Sequence, residues 1–565
     1  MMVAIMYVER VKNRRGDKVY EQILLRESYR EKGASRSAVK HRTLLNLTHC
    51  PPEDVGAIEW ALKFKNDVSR LRAATPGKVR TRQGRCVGAV WLLYRVAQRV
   101  GLVQTLGRSP QGRRVLWQVL ARLIEQGSRL SAVRLAQEHA ACEVLGLEGF
   151  NEEDLYADLD WLDARQSKIE DALYRQVRGQ DEPRLFLYDV TSSYLEGAHN
   201  AYGAYGYNRD GKRGKLQIVV GLLTDEDGLP LCIQVFEGNT QDPKTVPQQI
   251  RKLTGRFGVR ALTFVGDRGM LKSIQIQALQ AESLHYLTAI TKPQIEVLIK
   301  QGVLQLEMFD EDLCDVCMDD GTRYILRRNP VRAAEIAASR EDKFRCVCER
   351  VAKKNTYLRE HRRAKTAVAL REVKEYAEKL RIQEWTRLRV QGRALRIEQD
   401  ACALEQAQCL DGCYVLKSDV SVDQLDAERL HGRYKDLAQV ERAFRTMKTG
   451  HLEVRPVFVR TPAHTRAHVF IVMLAYRLRR ELDAAWRDLD LTVEEGITQL
   501  STLCAEELLF RQPTNADAGC LTVPEPRPTL TQLFAACDVA PPTTLPRSHA
   551  KVATKRKLPS RRKRH

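Results

Sequence analysis

The sequence predicts a multidomain protein of the α/β class, in which a mixed sheet is flanked by helices and preceded by a helical region. Three observations carry that expectation. Residues 184–290 alternate short apolar runs with turns, the pattern of strands. Residues 81–178 carry apolar residues at helical spacing. A highly charged helical stretch, roughly residues 345–408, stands between two strand-like pieces. At 565 residues the chain is also too long for one ordinary domain of roughly 100–200 residues.

Residues 1–80 read as a small basic module: YEQILLRESYR is strand-like, then comes a polar, basic stretch, EKGASRSAVKHR. Arg26, Arg30, Lys32, Arg36, Lys40 and Arg42 recur there beside Tyr29. Both a solvated face and recognition of a DNA end fit this pattern. Residues 81–178 form the predicted helical domain, with GAVWLLYRVAQRVGLV and RRVLWQVLARLIEQG as helices. NEEDLYADLDWL opens on an Asn-x-x-Asp cap signal. This region offers packing and no chemistry.

Residues 179–295 and 426–490 are read as one discontinuous core. RLFLYDV and ALTFVGD are apolar runs that end in an acid, and LQIVVGLL and LPLCIQVF form a hairpin through Asp227-Gly228. SIQIQALQAE is helical and HYLTAI is a further strand. Residues 296–425 are read as an insertion with charged helices around KTAVALREVKEYAEKLRIQEW. In the returning core, Thr461-Pro462 is an N-cap and N1 pair for the helix holding HVFIVMLAYRLRREL. Residues 491–565 are the C-terminal region, which ends in a basic tail.

Lys and Arg number 92 against 72 Asp and Glu, a net charge of +20. Eight of these cations lie in the tail 551–565, so the body stays basic without it. That balance points to a polyanion, and nucleic acid is the partner expected. No segment approaches the roughly 18 consecutive apolar residues of a membrane span, and the start lacks a signal-peptide pattern. The expected location is therefore the cytoplasm, or a nucleus if there is one. The fourteen cysteines are scattered and read as free thiols. Cys314-x-x-Cys317 with Cys346-x-Cys348 invites zinc, but the second spacing is unusual and the reading is set aside. His464 and His468, four apart, are read as structural.

Asp189 and Asp267 end two buried-looking strands, where an open sheet places its ligands. One such acid is ordinarily a cap; two in one sheet of a basic protein favour a shared metal site. Phosphodiester chemistry wants such acids. Hard Mg²⁺ or Mn²⁺ takes oxygen ligands from one or two carboxylates plus phosphate, and two ions roughly 3.5–4 Å apart can serve both the attacking and the leaving oxygen. Glu441 is the candidate third acid. In RYKDLAQVERAFRTMKTG, Tyr434, Glu441 and Lys448 are spaced by seven and share a helix face, with Arg445 four residues beyond Glu441. Spacing alone leaves a solvated amphipathic helix equally open.

These residues resemble the DDE transposases of bacterial insertion sequences, in the branch marked by a Y-x2-R-x3-E-x6-K signature. Tyr434, Glu441 and Lys448 fall on its Tyr, Glu and Lys, while Leu437 stands at the Arg position. The resemblance runs through LYDVTSSYLEG, YGYNRDGKRGKLQIVVGLL, EGNTQDPKTV, FVGDRGM and DGCYVLKSD, over roughly residues 80–490. It implies an RNase H-like catalytic core with the first Asp on the central strand and the Glu on a late helix after an insertion. The 174 positions between Asp267 and Glu441, against 78 between the two Asp, leave room for one. It implies that Asp189, Asp267 and Glu441 are the catalytic residues and hold two Mg²⁺ or Mn²⁺ ions. It also implies hydrolysis at each element end followed by attack of the freed 3′-hydroxyl on target DNA, in a homodimer or larger assembly on DNA.

By the same resemblance Tyr434 and Lys448 contact DNA, and Arg445 is the residue expected to supply the charge that Leu437 lacks. Arg268, beside Asp267, is a phosphate contact or a neutraliser of the acids. Tyr207, Lys212 and Arg213 belong to an aromatic and basic run, Tyr202 to Lys215, that fits base stacking and a Tyr-rich turn equally well. Two other functions remain open on the sequence: an RNase H-like nuclease without strand transfer, and a DNA-binding protein whose acids are only caps.

Overall fold

A computed structural model describes the chain apart from residues 1–4, 16–17, 31–38, 64–78, 179–184, 198, 260–261, 311, 455–456, 511–517 and 556–565. Lys32 and Arg36 of the basic N-terminal stretch, and the tail from residue 556, lie outside the described residues. The chain divides into two units, Met1–Arg85 with Cys504–Glu525 and Pro542–Arg547, and Cys86–Leu503 with Pro526–Pro541 and Ser548–His565.

In the first unit β1 (Ile5–Arg15), β2 (Lys18–Arg30) and β3 (Val39–Asn46) form an antiparallel sheet in that order. Two of the basic residues singled out in the sequence face acids on neighbouring strands: Arg26 pairs with Glu9 and Arg42 with Glu27. A helix, Pro52–Lys63, follows, and then β4 (Val79–Cys86). Helix was expected from residue 81. The strand's partner is β15 (Cys504–Phe510), reached through Arg82 and Glu507, which are 425 residues apart, so no local pattern announces it.

The second unit opens with helices Gly88–Arg99, Pro110–Ile124, Arg129–Glu138, Glu152–Asp163 and Gln166–Arg178. Asn151 and Asp154 make the reciprocal cap expected of them. The first four of these helices contribute buried faces. Pro110–Ile124 and Glu152–Asp163 pack on a 24-residue helix, Pro462–Ala485, capped by Thr461 through the His464 N–H at 3.2 Å. Seven consecutive residues of that helix, Val469–Ala475, are essentially unexposed. A helix apolar on every side is one that must run through a core.

Its core sheet has eight strands. They are β5 (Leu185–Tyr194), β6 (Gln217–Thr224), β7 (Pro230–Glu237), β8 (Thr263–Gly266), β9 (His285–Ala289), β10 (Cys314–Cys317), β11 (Arg323–Arg328) and, after a hairpin of β12 (Thr386–Gln391) and β13 (Ala394–Gln399), β14 (Cys413–Ser418). The order is β10-β11-β14-β9-β8-β5-β6-β7. β5, β8 and β9 run parallel, while β6 is antiparallel to β5 and β7 to β6, so β5 is the middle of the five that carry the mixed sheet. This is the mixed α/β architecture the sequence predicted.

The insertion is smaller than residues 296–425. β14 pairs along the open edge of β9, Leu416 opposite Ala289, and β11 and β10 extend the same sheet. A free edge of a buried sheet is a template that later strands complete. What remains separate is the helical piece built on Pro330–Glu360 and Thr366–Lys379, with its own small core of Val347, Val373, Trp385 and Leu395. The C-terminal strands β15 (Cys504–Phe510), β16 (Ala518–Thr522) and β17 (Thr544–Leu545) belong to the first unit, in the order β17-β16-β15-β4. Among the described residues no disulfide joins two cysteines, and no helix is long and apolar enough to cross a membrane.

Candidate active site

β5 and β8 are parallel neighbours whose register sets Tyr188 opposite Gly266. Asp189 and Asp267 are therefore the next pair along two strands spaced roughly 4.8 Å apart. The residues before each acid, Leu185–Tyr188 and Thr263–Gly266, are buried on both faces of the sheet. Asp267 directly follows β8, whereas Asp189 lies in the middle of β5 rather than at a strand end as the sequence suggested, because pairing with β6 carries the strand on to Tyr194. The third acid comes from the helix Leu437–Thr449, whose buried residues Val440, Ala443, Phe444 and Met447 turn it against the sheet, where it packs on β5.

Asp189, Asp267 and Glu441 line one cavity of about 520 Å³, together with Arg268, Tyr434 and Leu437. The Tyr434 hydroxyl donates to Asp267 Oδ1 at 3.3 Å. Burial pushes the Asp189 carboxyl up to about 7, the Val190 N–H it accepts at 2.7 Å pulls it back, and Asp267 and Glu441 push it up again. Burial and the nearby Asp267 also hold the Tyr434 phenol neutral, well above its ordinary value. Asp189 is thus desolvated and feels the charge of Asp267 and Glu441, which are themselves exposed. Among the described residues no three His, Cys, Asp or Glu converge closely enough to hold a metal ion by themselves.

The far wall was not legible in the sequence. Lys292, Asn329, Arg332, His431 and Lys435 line the same cavity. Asn329 accepts the Arg332 N–H at 3.1 Å and caps the long helix Pro330–Glu360, so an Asn-Pro cap pair was the available signal for that wall. The remaining candidates lie elsewhere. Arg445, Lys212 and Arg213 are exposed and outside the cavity lining, as is Tyr207, which is 83% exposed with the Arg209 guanidinium over its ring. Lys448 is turned inward, 2.6 Å from Asp210.

His431 shares a hydrogen bond between its Nε2 and the Tyr414 hydroxyl. Burial, then Lys435 and Arg327, push its pKa down to about 4, and burial lowers that of His468 too. Both folded values lie below the ordinary 6.5, so their stabilising contribution is complete above pH 6.5 and is lost as pH falls below it, for His431 down to about 4. The melting temperature is expected to drop between pH 7 and 5, and less steeply in His431→Gln. An unchanged slope in that variant would mean that His431 titrates normally.

A profile of the transposase DDE domain matches residues 180–478, and one of the N-terminal domain of IS1634 family transposases matches residues 8–74. No curated protein matches the chain. Among solved structures, a cryo-EM structure of the piggyBac transposase synaptic complex with hairpin DNA is similar over 74% of this chain and 82% of that one, at 9% identity and a TM-score of 0.32, a likeness too loose to carry an argument.

Proposed function

The chain belongs to the transposase DDE-domain family and is a DNA transposase, and from that premise we propose that Asp189, Asp267 and Glu441 are its catalytic acids and hold two divalent ions. The observation that carries this reading is their meeting in one cavity, from two adjacent parallel strands and one helix, with the Asp189 carboxyl raised by burial and by its neighbours. A carboxylate set of this kind is suited to hard cations such as Mg²⁺ or Mn²⁺. It need not close on them alone, because Mg²⁺ is ordinarily held by one or two carboxylates plus substrate phosphate. When bound, such ions sharpen the attacking oxygen and stabilise the leaving one.

The protein's own groups then have separate tasks. Tyr434, kept neutral, orients Asp267 and is a contact rather than a nucleophile. Arg268, Lys292 and Arg332 hold phosphates on the walls around the acids, while Tyr207, Lys212 and Arg213 meet DNA outside the cavity. Cutting two element ends together calls for a dimer or larger assembly on DNA, working on the nucleoid in the cytoplasm. The test is incubation of the protein with duplexes carrying its element ends and a supercoiled target. Mg²⁺-dependent nicking that leaves a 3′-hydroxyl, followed by joined products, supports transposition. Nicking without joining would point to a nuclease, and binding without either to a repurposed DNA-binding protein.

Leu437, 8% exposed, lines the cavity where the family signature has an Arg. We assign the missing phosphate contact to Arg445, one helical turn past Glu441 and exposed. Arg445→Ala is expected to weaken end binding and lower the slope of log K against log salt by about 0.9, the value for one phosphate. An unchanged slope would remove Arg445 from the DNA interface.

A further inference from the structure

Lys448 follows Glu441 by two helical turns on the same face, and Thr191 follows Asp189 by two residues on the same face of β5. The two rows meet. The Lys448 ammonium donates to Thr191 Oγ1 at 3.0 Å and lies 2.6 Å from Asp210 Oδ1. Both side chains are nearly covered, Lys448 11% and Asp210 4% exposed. The other oxygen of Asp210 accepts the Tyr194 N–H at 3.2 Å, and the Arg209 N–H donates to Ser192 Oγ at 2.9 Å. Asp210 itself is held in a turn by its N–H to Asn208 Oδ1 at 2.8 Å. The loop is therefore fastened along β5 immediately beyond Asp189, and Lys448 ties the Glu441 helix to both.

We propose that Lys448 and Asp210 form a positioning pair that sets Glu441 against Asp189, in place of the DNA contact implied for Lys448 by the family resemblance. The proposal rests on the reading of the three acids as metal ligands. A helix pinned to the strand two turns beyond Glu441 cannot rotate or slide without breaking a covered ion pair, and breaking such a pair strands a desolvated charge. A phosphate contact would need that same ammonium pulled out of its pair. Misplacement of a reacting group by about 1 Å is enough to cost roughly 10²-fold in rate.

The test uses the full chain, its element-end duplex, and the variants Lys448→Met, Asp210→Asn and the double. Three quantities are read: the salt slope of duplex binding without divalent ions, Mn²⁺ binding by electron paramagnetic resonance, and Mg²⁺-dependent nicking. A positioning pair leaves the salt slope as in wild type, weakens Mn²⁺ binding in both single variants, and lowers nicking by about 10²-fold in each, with little further loss in the double. A phosphate contact gives the opposite signature: Lys448→Met lowers the slope by about 0.9, and Asp210→Asn binds DNA more tightly and still nicks. That result overturns the proposal. If Lys448→Met does not fold, Asp210→Asn alone decides, since the two readings assign it opposite effects on nicking. Failure of the metal-site reading looks different, because wild type and Asp189→Ala would then bind Mn²⁺ alike; the pair would have no metal ligand to position, and the proposal would fall with it.

Discussion

Asp189→Ala, Asp267→Ala and Glu441→Ala are each expected to abolish strand cleavage, by about 10³-fold or more, while end binding survives, and the triple variant is expected to be little worse than any single one. Groups that act as one unit are lost as one unit, so the effects do not add. Plasmid excision of a marker flanked by the native DNA measures this directly. Excision by wild type alone supports the three acids together, whereas a single alanine variant that still excises takes that residue out of the set. A second readout needs no turnover. The folded Asp189 carboxyl is raised to about 7 from an ordinary 3.8, so its stabilising contribution is present below pH 3.8 and is lost as pH rises through 7. At pH 8, without divalent ions, Asp189→Asn should therefore be more stable than wild type, by on the order of 2–4 kcal/mol. Mg²⁺ should raise the melting temperature of wild type and do so less in the variant, since a ligand that binds only the folded state stabilises it by mass action. A wild type that melts at the same temperature with and without Mg²⁺ would count against a preformed site.

The proposed site was legible where its acids close a regular sequence pattern. Asp189 and Asp267 each close an apolar run, and Glu441 stands in a seven-residue repeat with Tyr434 and Lys448. The acids are conspicuous because nothing about strand or helix stability asks for them. The cavity's other wall was not legible, since Lys292, Arg332 and His431 come from elements that a sequence assigns to the surface and are brought in only by tertiary packing. The same limit explains the misplaced boundaries. β4 pairs with β15 near the other end of the chain, and β10, β11 and β14 complete the edge of a sheet begun more than a hundred residues earlier. Periodicity reports which face of an element is apolar; it does not report which distant edge the element will meet. Lys448 shows the converse, because its helical position was read from spacing but its partner, Asp210, was not.

Gly238→Ala is expected to destabilise the core unit by about 3 kcal/mol, the upper end of ordinary overpacking, and to lower nicking with it. Gly238 sits where the loop carrying Asp210 docks on the sheet. Its N–H donates to Tyr202 O at 3.0 Å, and its carbonyl accepts Gln217 Nε2 at 2.7 Å. Ala204 and Gln217 bridge in antiparallel fashion beside it, and Gln217 Nε2 also reaches Tyr207 O at 3.1 Å. A Cβ on Gly238 would overlap the Gln217 carbonyl and lie 2.6 Å from the Ala204 carbonyl, and one on Gly206 would overlap the carbonyl of Gly238. All of these obstacles are backbone, so no rotamer change relieves them and the loop must lift. Gly214 in the same loop is the control. It has φ +72°, and a methyl group there would meet no atom within 4 Å. Alanine at that position therefore carries only the left-handed strain of roughly 1–2 kcal/mol and leaves the docking intact. Thermal unfolding of the two variants, with nicking measured beside it, separates the causes. Loss of nicking in Gly238→Ala but not in Gly214→Ala ties catalysis to the docked loop and so to the Asp210–Lys448 pair. Equal loss in both would make the loop's own conformation, rather than its contact with β5 and the Glu441 helix, the feature that matters.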